Sequence, residues 1–156
     1  MTGPVVVVCL GNPFRRDDGV AGAVADRLRP CLPAGVRLVE LDGEPTRLVD
    51  AWTGADLAVV IDAARSGAVP GSVRRIEVTI GELVPAGRPT STHGYSVGDA
   101  LDLGRALDRM PTRLVVHAVE GADFGEGPGL SEAVAAAVPR VVAAVLADLA
   151  EPRGTA

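Results

Sequence analysis

Apolar positions in this chain follow two different rhythms. Val5–Leu10 (Val-Val-Val-Val-Cys-Leu) and Leu57–Ile61 are short unbroken runs. Apolar runs of this length, rich in β-branched residues and without polar alternation, predict parallel strands covered on both faces. Val36–Leu41 alternates apolar with charged residues, as a strand exposed on one face would, and Val73–Ile80 carries Arg74, Arg75 and Glu77, which places it nearer a sheet edge. Leu114–Val119 makes a fifth strand. Between these stretches the rhythm turns helical. Val20, Val24 and Leu28 share one face, with Asp26 and Arg27 away from it. Leu48, Val49 and Trp52 form a second apolar face. Val97, Leu101 and Gly104 turn inward in a helix from about Tyr95 to Leu107, and Val134, Val138, Val141, Val145 and Leu149 define the last.

Turn residues punctuate the pattern. Gly11-Asn12-Pro13 ends the first strand, the first helix starts at Asp17 or Asp18, and Pro30, Pro33 and Gly35 force the next turn. Asp42-Gly43-Glu44-Pro45 leads into the second helix, with Pro45 suited to its first turn. Ser131 is placed to cap the last helix, and Pro139 inside it predicts a kink or a split. The order βαβαββαβα predicts an α/β fold: a three-layer α/β/α sandwich on a mostly parallel, five-stranded sheet. Residues 1–150 make one domain and 151–156 a frayed tail.

Composition narrows the function classes. Aromatics are 3% of the chain, so the core is Val, Leu and Ala. A net charge of −5 disfavours nucleic acid as the main partner. All 15 basic residues are Arg; with no Lys, Schiff-base chemistry and a Walker-type phosphate loop are excluded. The sequence has no GxGxxG, which disfavours a dinucleotide site. Cys9 and Cys31 show no disulfide or zinc pattern, and Cys9, on a buried strand, reads as an inert core thiol. The sequence offers no apolar run expected to span a membrane and no signal pattern, so a soluble, cytoplasmic protein is expected.

Three candidate side chains fall where strands end or helices begin: Asp18 after the first strand, Asp62 at the end of the third, and His93 in the loop after the fourth. In a parallel sheet the two Asp converge on the carboxyl edge, where ligands of open α/β sheets bind, and His93 can join them from its loop. Two carboxylates and an imidazole suit a first-row divalent metal such as Zn or Ni, with positions left open for water or substrate. Each also has a plain structural role open to it. Asp17 and Asp18 can cap a helix, Asp62 can be a turn residue, and His93, beside Ser91, can be a solvated loop histidine. His117 reads as a hydrogen-bonded histidine on a strand, and Glu44 and Glu120 lie at strand exits, where they can support a site.

Gly11-Asn12, Asp17-Asp18-Gly19, Asp42-Gly43, Asp62-Ala63, His93 and Gly129-Leu130-Ser131, taken in order, resemble the hydrogenase maturation proteases. The resemblance spans nearly the whole chain. It implies an endopeptidase that trims the C-terminal extension of a nickel–iron hydrogenase large-subunit precursor once nickel is inserted, just after that client's last Cys-x-x-Cys-x-x-His/Arg motif. It places the metal ligands and catalytic residues on Asp18, Asp62 and His93, with Asn12, Asp17, Asp42, Gly43 and Glu44 as supporting or substrate-contacting positions. The nickel is mainly that of the client, with another divalent metal as the alternative. The expected partner is the precursor, met by a monomer that uses neither nucleic acid nor membrane. The chain departs from the family in having Glu44-Pro45-Thr46 where a Gly-Thr pair is usual, and in its Gly-rich 121–129 stretch. Leu10-Gly11-Asn12-Pro13 also resembles the opening of peptidyl-tRNA hydrolase, but Arg16-Asp17-Asp18 stands where that family has its catalytic His. A non-catalytic nickel-dependent module that binds the same precursor is the third reading.

Overall fold

The two unbroken apolar runs fold as β1 (Val5–Leu10) and β3 (Leu57–Ala64), and every residue of both is buried. In this computed structural model, residues 3–78 and 97–151 are described. The remaining strands are β2 (Val36–Leu41), β4 (Val73–Val78) and β5 (Arg113–Glu120). They form one sheet in the order β2-β1-β3-β5-β4, parallel except for β4, which pairs antiparallel with β5. The charged, alternating segments are thus the two edges, and the apolar runs lie inside, because only interior strands of a covered sheet can bury both faces. The last two residues of the predicted fourth strand, Thr79 and Ile80, lie outside the described residues.

The helices are α1 (Val20–Leu28), α2 (Pro45–Trp52), α3 (Val97–Ala106) and α4 (Glu132–Ala150). Strand alternation splits the core in two. Val5, Val7, Cys9, Val59, Ile61 and Val115 face α1 and α4. Val6, Val8, Leu10, Ala58, Val60 and Leu114 face α2 and α3. Trp52 fills the second layer, fully buried, with its indole N–H donating to the Arg109 carbonyl at 2.9 Å. Gly104 faces it, and a Cβ there would lie 2.7 Å from the Met110 sulfur, so glycine is what lets α3 close on this layer. Tyr95, near the predicted start of α3, lies outside the described residues.

Two local expectations are corrected, and a third, for Pro139, is narrowed. The first helix begins at Val20, because Asp17 and Asp18 lie in a 3-10 turn at Arg16–Gly19, where Arg16 has a φ of 50° and the Asp18 N–H donates to the Arg15 carbonyl three residues back. Ser131 is the residue before α4, but its hydroxyl makes no cap bond to that helix. Pro139 does not split α4, which runs unbroken through it. Pro139 and Ala135 are exposed, so the carbonyl that loses its i+4 N–H partner lies on the solvent side, while the buried stripe from Val134 to Leu149 holds both halves to the sheet. The expectation of no membrane-length apolar segment is also corrected, since α4 is long and apolar enough by length and composition. Alanine on its outer side supplies much of that apolarity, and its Val and Leu residues pack into the core.

His117 is fully buried on β5, with Nε2 2.6 Å from Oδ2 of Asp148 on α4. Arg75 on β4 donates two N–H groups to the other oxygen of that carboxylate, at 3.0 and 2.8 Å. This cluster joins the edge strand to the last helix, so His117 has the hydrogen-bonded structural role expected of it. For the opposite layer, Trp52→Ala should lower the unfolding free energy by about 3–5 kcal/mol, the usual cost of emptying a buried aromatic site. Urea denaturation with an unchanged m-value is the check.

Candidate functional site

The chain leaves β1 through a turn that only glycine can make. Gly11 has a φ of 141°, and a Cβ there would lie 2.0 Å from the Asp18 carbonyl oxygen. The backbone of the Arg16–Gly19 turn therefore folds directly back over the end of β1. Asn12 locks the return. Its backbone N–H donates to Asp18 Oδ2 at 2.8 Å, and its side-chain Oδ1 accepts the Phe14 N–H at 2.9 Å, an Asx turn. Pro13 lies against Gly19, where a Cβ would come within 2.9 Å of its Cα.

Asp62 lies on the neighbouring strand. β1 and β3 run parallel with Cys9 opposite Ile61, so Asp62 is level with the exit from β1, and the Arg16–Gly19 turn packs against β3. Asp62 is not a turn residue, because β3 continues to Ala64. Ile61 and Ala63 face α1 and α4, so strand alternation turns Asp62 to the α2/α3 side. Asp18 is 1% exposed and Asp62 4%. Two buried carboxylates thus share the carboxyl edge of adjacent parallel strands. His93 and Ser91 lie outside the described residues. Among the described residues no group of three His, Cys, Asp or Glu side chains gathers to hold a metal.

Asp17, the immediate neighbour of Asp18, does something different. It is fully buried, and its carboxylate accepts four hydrogen bonds from the β5–α4 segment. Ala122 N–H and Asp123 N–H reach Oδ2 at 2.8 and 2.9 Å, the Ser131 hydroxyl reaches the same oxygen at 2.8 Å, and Ser131 N–H reaches Oδ1 at 2.7 Å. Burial pushes its pKa up, but the hydrogen bonds from Ser131, Ala122 and Asp123 outweigh it and hold the carboxyl below the usual value. A carboxylate so engaged is a poor proton acceptor. The Ser131 hydroxyl is spent as a donor here, and that of Ser66 is spent on buried Glu120, at 2.6 Å.

The β2–α2 turn also uses its acids locally. Asp42 Oδ1 accepts the Glu44 N–H at 3.1 Å, and Gly43 takes a φ of 96°. Glu44 caps α2 by accepting from Thr46 N–H and Arg47 N–H, and the Thr46 bond leads in holding its carboxyl below the usual range. Residue pattern alone did not single out Phe14 or the N–H groups of Ala122 and Asp123. Phe14 is a lone aromatic that belongs to no motif, and the latter are backbone groups that no side-chain motif marks.

Comparison with known proteins agrees with this architecture. The family model for hydrogenase maturation protease matches residues 24–148, a span that includes Asp62 and His93 and begins after Asp18. Hydrogenase expression/formation protein HupM of Azotobacter chroococcum is 28% identical over 150 residues, covering 94% of this chain and 72% of HupM. HupD of Thiocapsa roseopersicina is 27% identical over 141 residues, 86% of this chain and 64% of its own. The [NiFe] hydrogenase maturation protease HybD from Thermococcus kodakarensis superposes with a TM-score of 0.72 at 26% identity, covering 95% of this chain and 99% of that one. The hydrogenase maturating endopeptidase HybD from E. coli shares the fold, with a TM-score of 0.75 at 21% identity over 94% of this chain and 91% of that one.

Two outcomes follow from this geometry. Asp17→Asn should cost roughly 2–4 kcal/mol of stability at pH 7, because buried donors lose a charged acceptor. The folded carboxyl titrates below its ordinary 3.8, so its contribution is complete above that value and is lost as pH falls through the lower folded value. The gap between wild type and Asp17→Asn in urea melts should therefore close in acid. Burial, reinforced by Glu40 and partly offset by Arg29, pushes the Cys9 thiol up to about 12, whereas Cys31 is exposed. Iodoacetamide at pH 8 should label the folded protein once, at Cys31, and the denatured chain at both thiols.

Proposed function

The chain belongs to the hydrogenase maturation protease family, and from that membership we propose that it removes the C-terminal extension of a nickel–iron hydrogenase large-subunit precursor after nickel insertion. Family membership replaces the peptidyl-tRNA hydrolase reading. The observation that carries the proposal is the division of labour between consecutive acids. Asp17 is committed to four hydrogen bonds, while Asp18 lies beside the Asp62 strand at the edge where α/β sheets take their ligands.

In this reading the client's nickel is part of the substrate. Asp18, Asp62 and His93 meet it when the precursor docks, and this contact positions the scissile bond; positioning of that kind supplies a large share of a rate. Asp18 accepts a proton from the attacking water. The water oxygen bonds to the scissile carbonyl carbon, the C–N bond breaks, and the proton passes to the leaving amine. The products are a carboxylate on the mature subunit and a free amine on the released extension. Asp17 is not the base in this reading, since its oxygens already accept four hydrogen bonds. A divalent metal on the same three residues would polarise the scissile carbonyl or activate the water. Its donor chemistry fits the two buried carboxylates.

The test uses nickel-loaded and nickel-free precursor incubated with the protein and read by intact mass. Only the loaded form should lose its extension. Equal trimming of both would contradict nickel recognition, and binding of the loaded form without any trimming would favour a non-catalytic module.

A further inference from the structure

Phe14 is the most exposed aromatic ring among the described residues. The chain has two Phe, one Trp and one Tyr. Trp52 is fully buried, and Phe124 packs against Gly121 with the Arg65 guanidinium 4.6 Å from its ring centre. Phe14 is 69% exposed. Its backbone leaves it no route inward. The N–H is bound to Asn12 Oδ1, the carbonyl accepts the Gly127 N–H at 2.8 Å, and the preceding proline rests on Gly19. Arg15 forms a bridge to Gly127 on the other side. A ring carried on a backbone held this way is an apolar contact on an ordered turn, and a backbone ordered before any partner arrives lowers the cost of binding.

The same turn holds the site. Asn12 accepts the Phe14 N–H through its side chain and donates its own N–H to Asp18. Any contact made by Phe14 is therefore registered against the Asp18 carboxylate through a single residue. We infer that Phe14 is a substrate-docking residue whose ring receives an apolar side chain of the precursor segment next to the scissile bond. The inference rests on the proposed cleavage at Asp18. The client segment is the occupant the geometry favours over a second copy of this chain, because Asn12 joins the Phe14 backbone directly to the Asp18 carboxylate, which sets Phe14 beside the proposed cleavage site rather than on a remote face. Aromatic rings in such positions supply large contact area at little conformational cost.

The test measures binding and turnover separately. Binding of nickel-loaded precursor is measured in the Asp18→Asn protein with and without Phe14→Ala, and kcat and KM are measured with Asp18 intact. Phe14→Ala should weaken binding and raise KM about tenfold, near 1.4 kcal/mol, with kcat far less affected. Phe14→Leu should stay within about threefold of wild type, and the thermal midpoint should not move in either variant. Unchanged binding and KM in Phe14→Ala would overturn the inference. So would a loss of kcat at constant KM, or loss of concentration-dependent self-association with precursor binding unchanged. Full trimming by Asp18→Asn would refute the catalytic assignment, and the binding comparison would still decide the role of Phe14.

Discussion

The buried carboxylate of Asp17 is the constraint on which the carboxyl edge of this sheet depends. Its four hydrogen bonds tie the turn after β1 to the segment between β5 and α4, two parts of the chain more than a hundred residues apart. Arg16 supports the junction from both sides: its N–H donates to the Gly127 carbonyl at 3.0 Å and its guanidinium lies 3.4 Å from Asp123. A left-handed backbone at a residue other than glycine costs about 1 kcal/mol or more and persists only where its surroundings enforce it. Here the enforcing contacts are those of Asp17. The strained residue reverses the chain, so that two neighbouring acids face different tasks.

From that reversal the placement of Asp18 follows. The 3-10 turn leads its backbone over Gly11, and its side chain meets the Asn12 N–H. Asp62 comes to the same edge by another route, through a fully buried strand whose register with β1 is fixed by unbroken apolar contacts on both faces. One carboxylate is therefore positioned by a turn and one by a sheet, and neither depends on a long flexible side chain. Carboxyl groups at 1% and 4% exposure are expensive to keep in a stable fold, and their presence together at the edge where open α/β sheets bind ligands is the strongest physical sign of function among the described residues.

Much of this was legible in the sequence, for reasons that differ by element. The apolar runs of β1 and β3 required burial on two faces, and the charges on β2 and β4 required edges. Pro45 marked the start of α2 because proline suits a first helical turn, while the capping role of Glu44 was not read from the sequence. That Asp18 follows β1 was also readable, whereas Asp62 was read as ending its strand and instead lies inside β3, level with the end of β1 through the parallel register. What the sequence hid was long-range. Nothing local distinguishes Asp17 from Asp18, and only the distant Ala122, Asp123 and Ser131 groups assign their tasks. Ser131 looked like a helix cap because that is the commonest fate of a serine before a helix, yet its hydroxyl serves Asp17. Pro139 looked disruptive because its position on the solvent side of α4 cannot be read without the packing of the whole helix.

The central claim is that Asp18, held at the sheet edge by Asn12, supplies the carboxylate that cleavage requires. Single-turnover trimming of nickel-loaded precursor by Asp18→Asn, followed by intact mass, tests it most directly. The account predicts a rate loss of at least about a hundredfold, the lower range for removing a general base, with the circular dichroism spectrum retained. A rate within about threefold of wild type in a folded, binding-competent Asp18→Asn protein would contradict it.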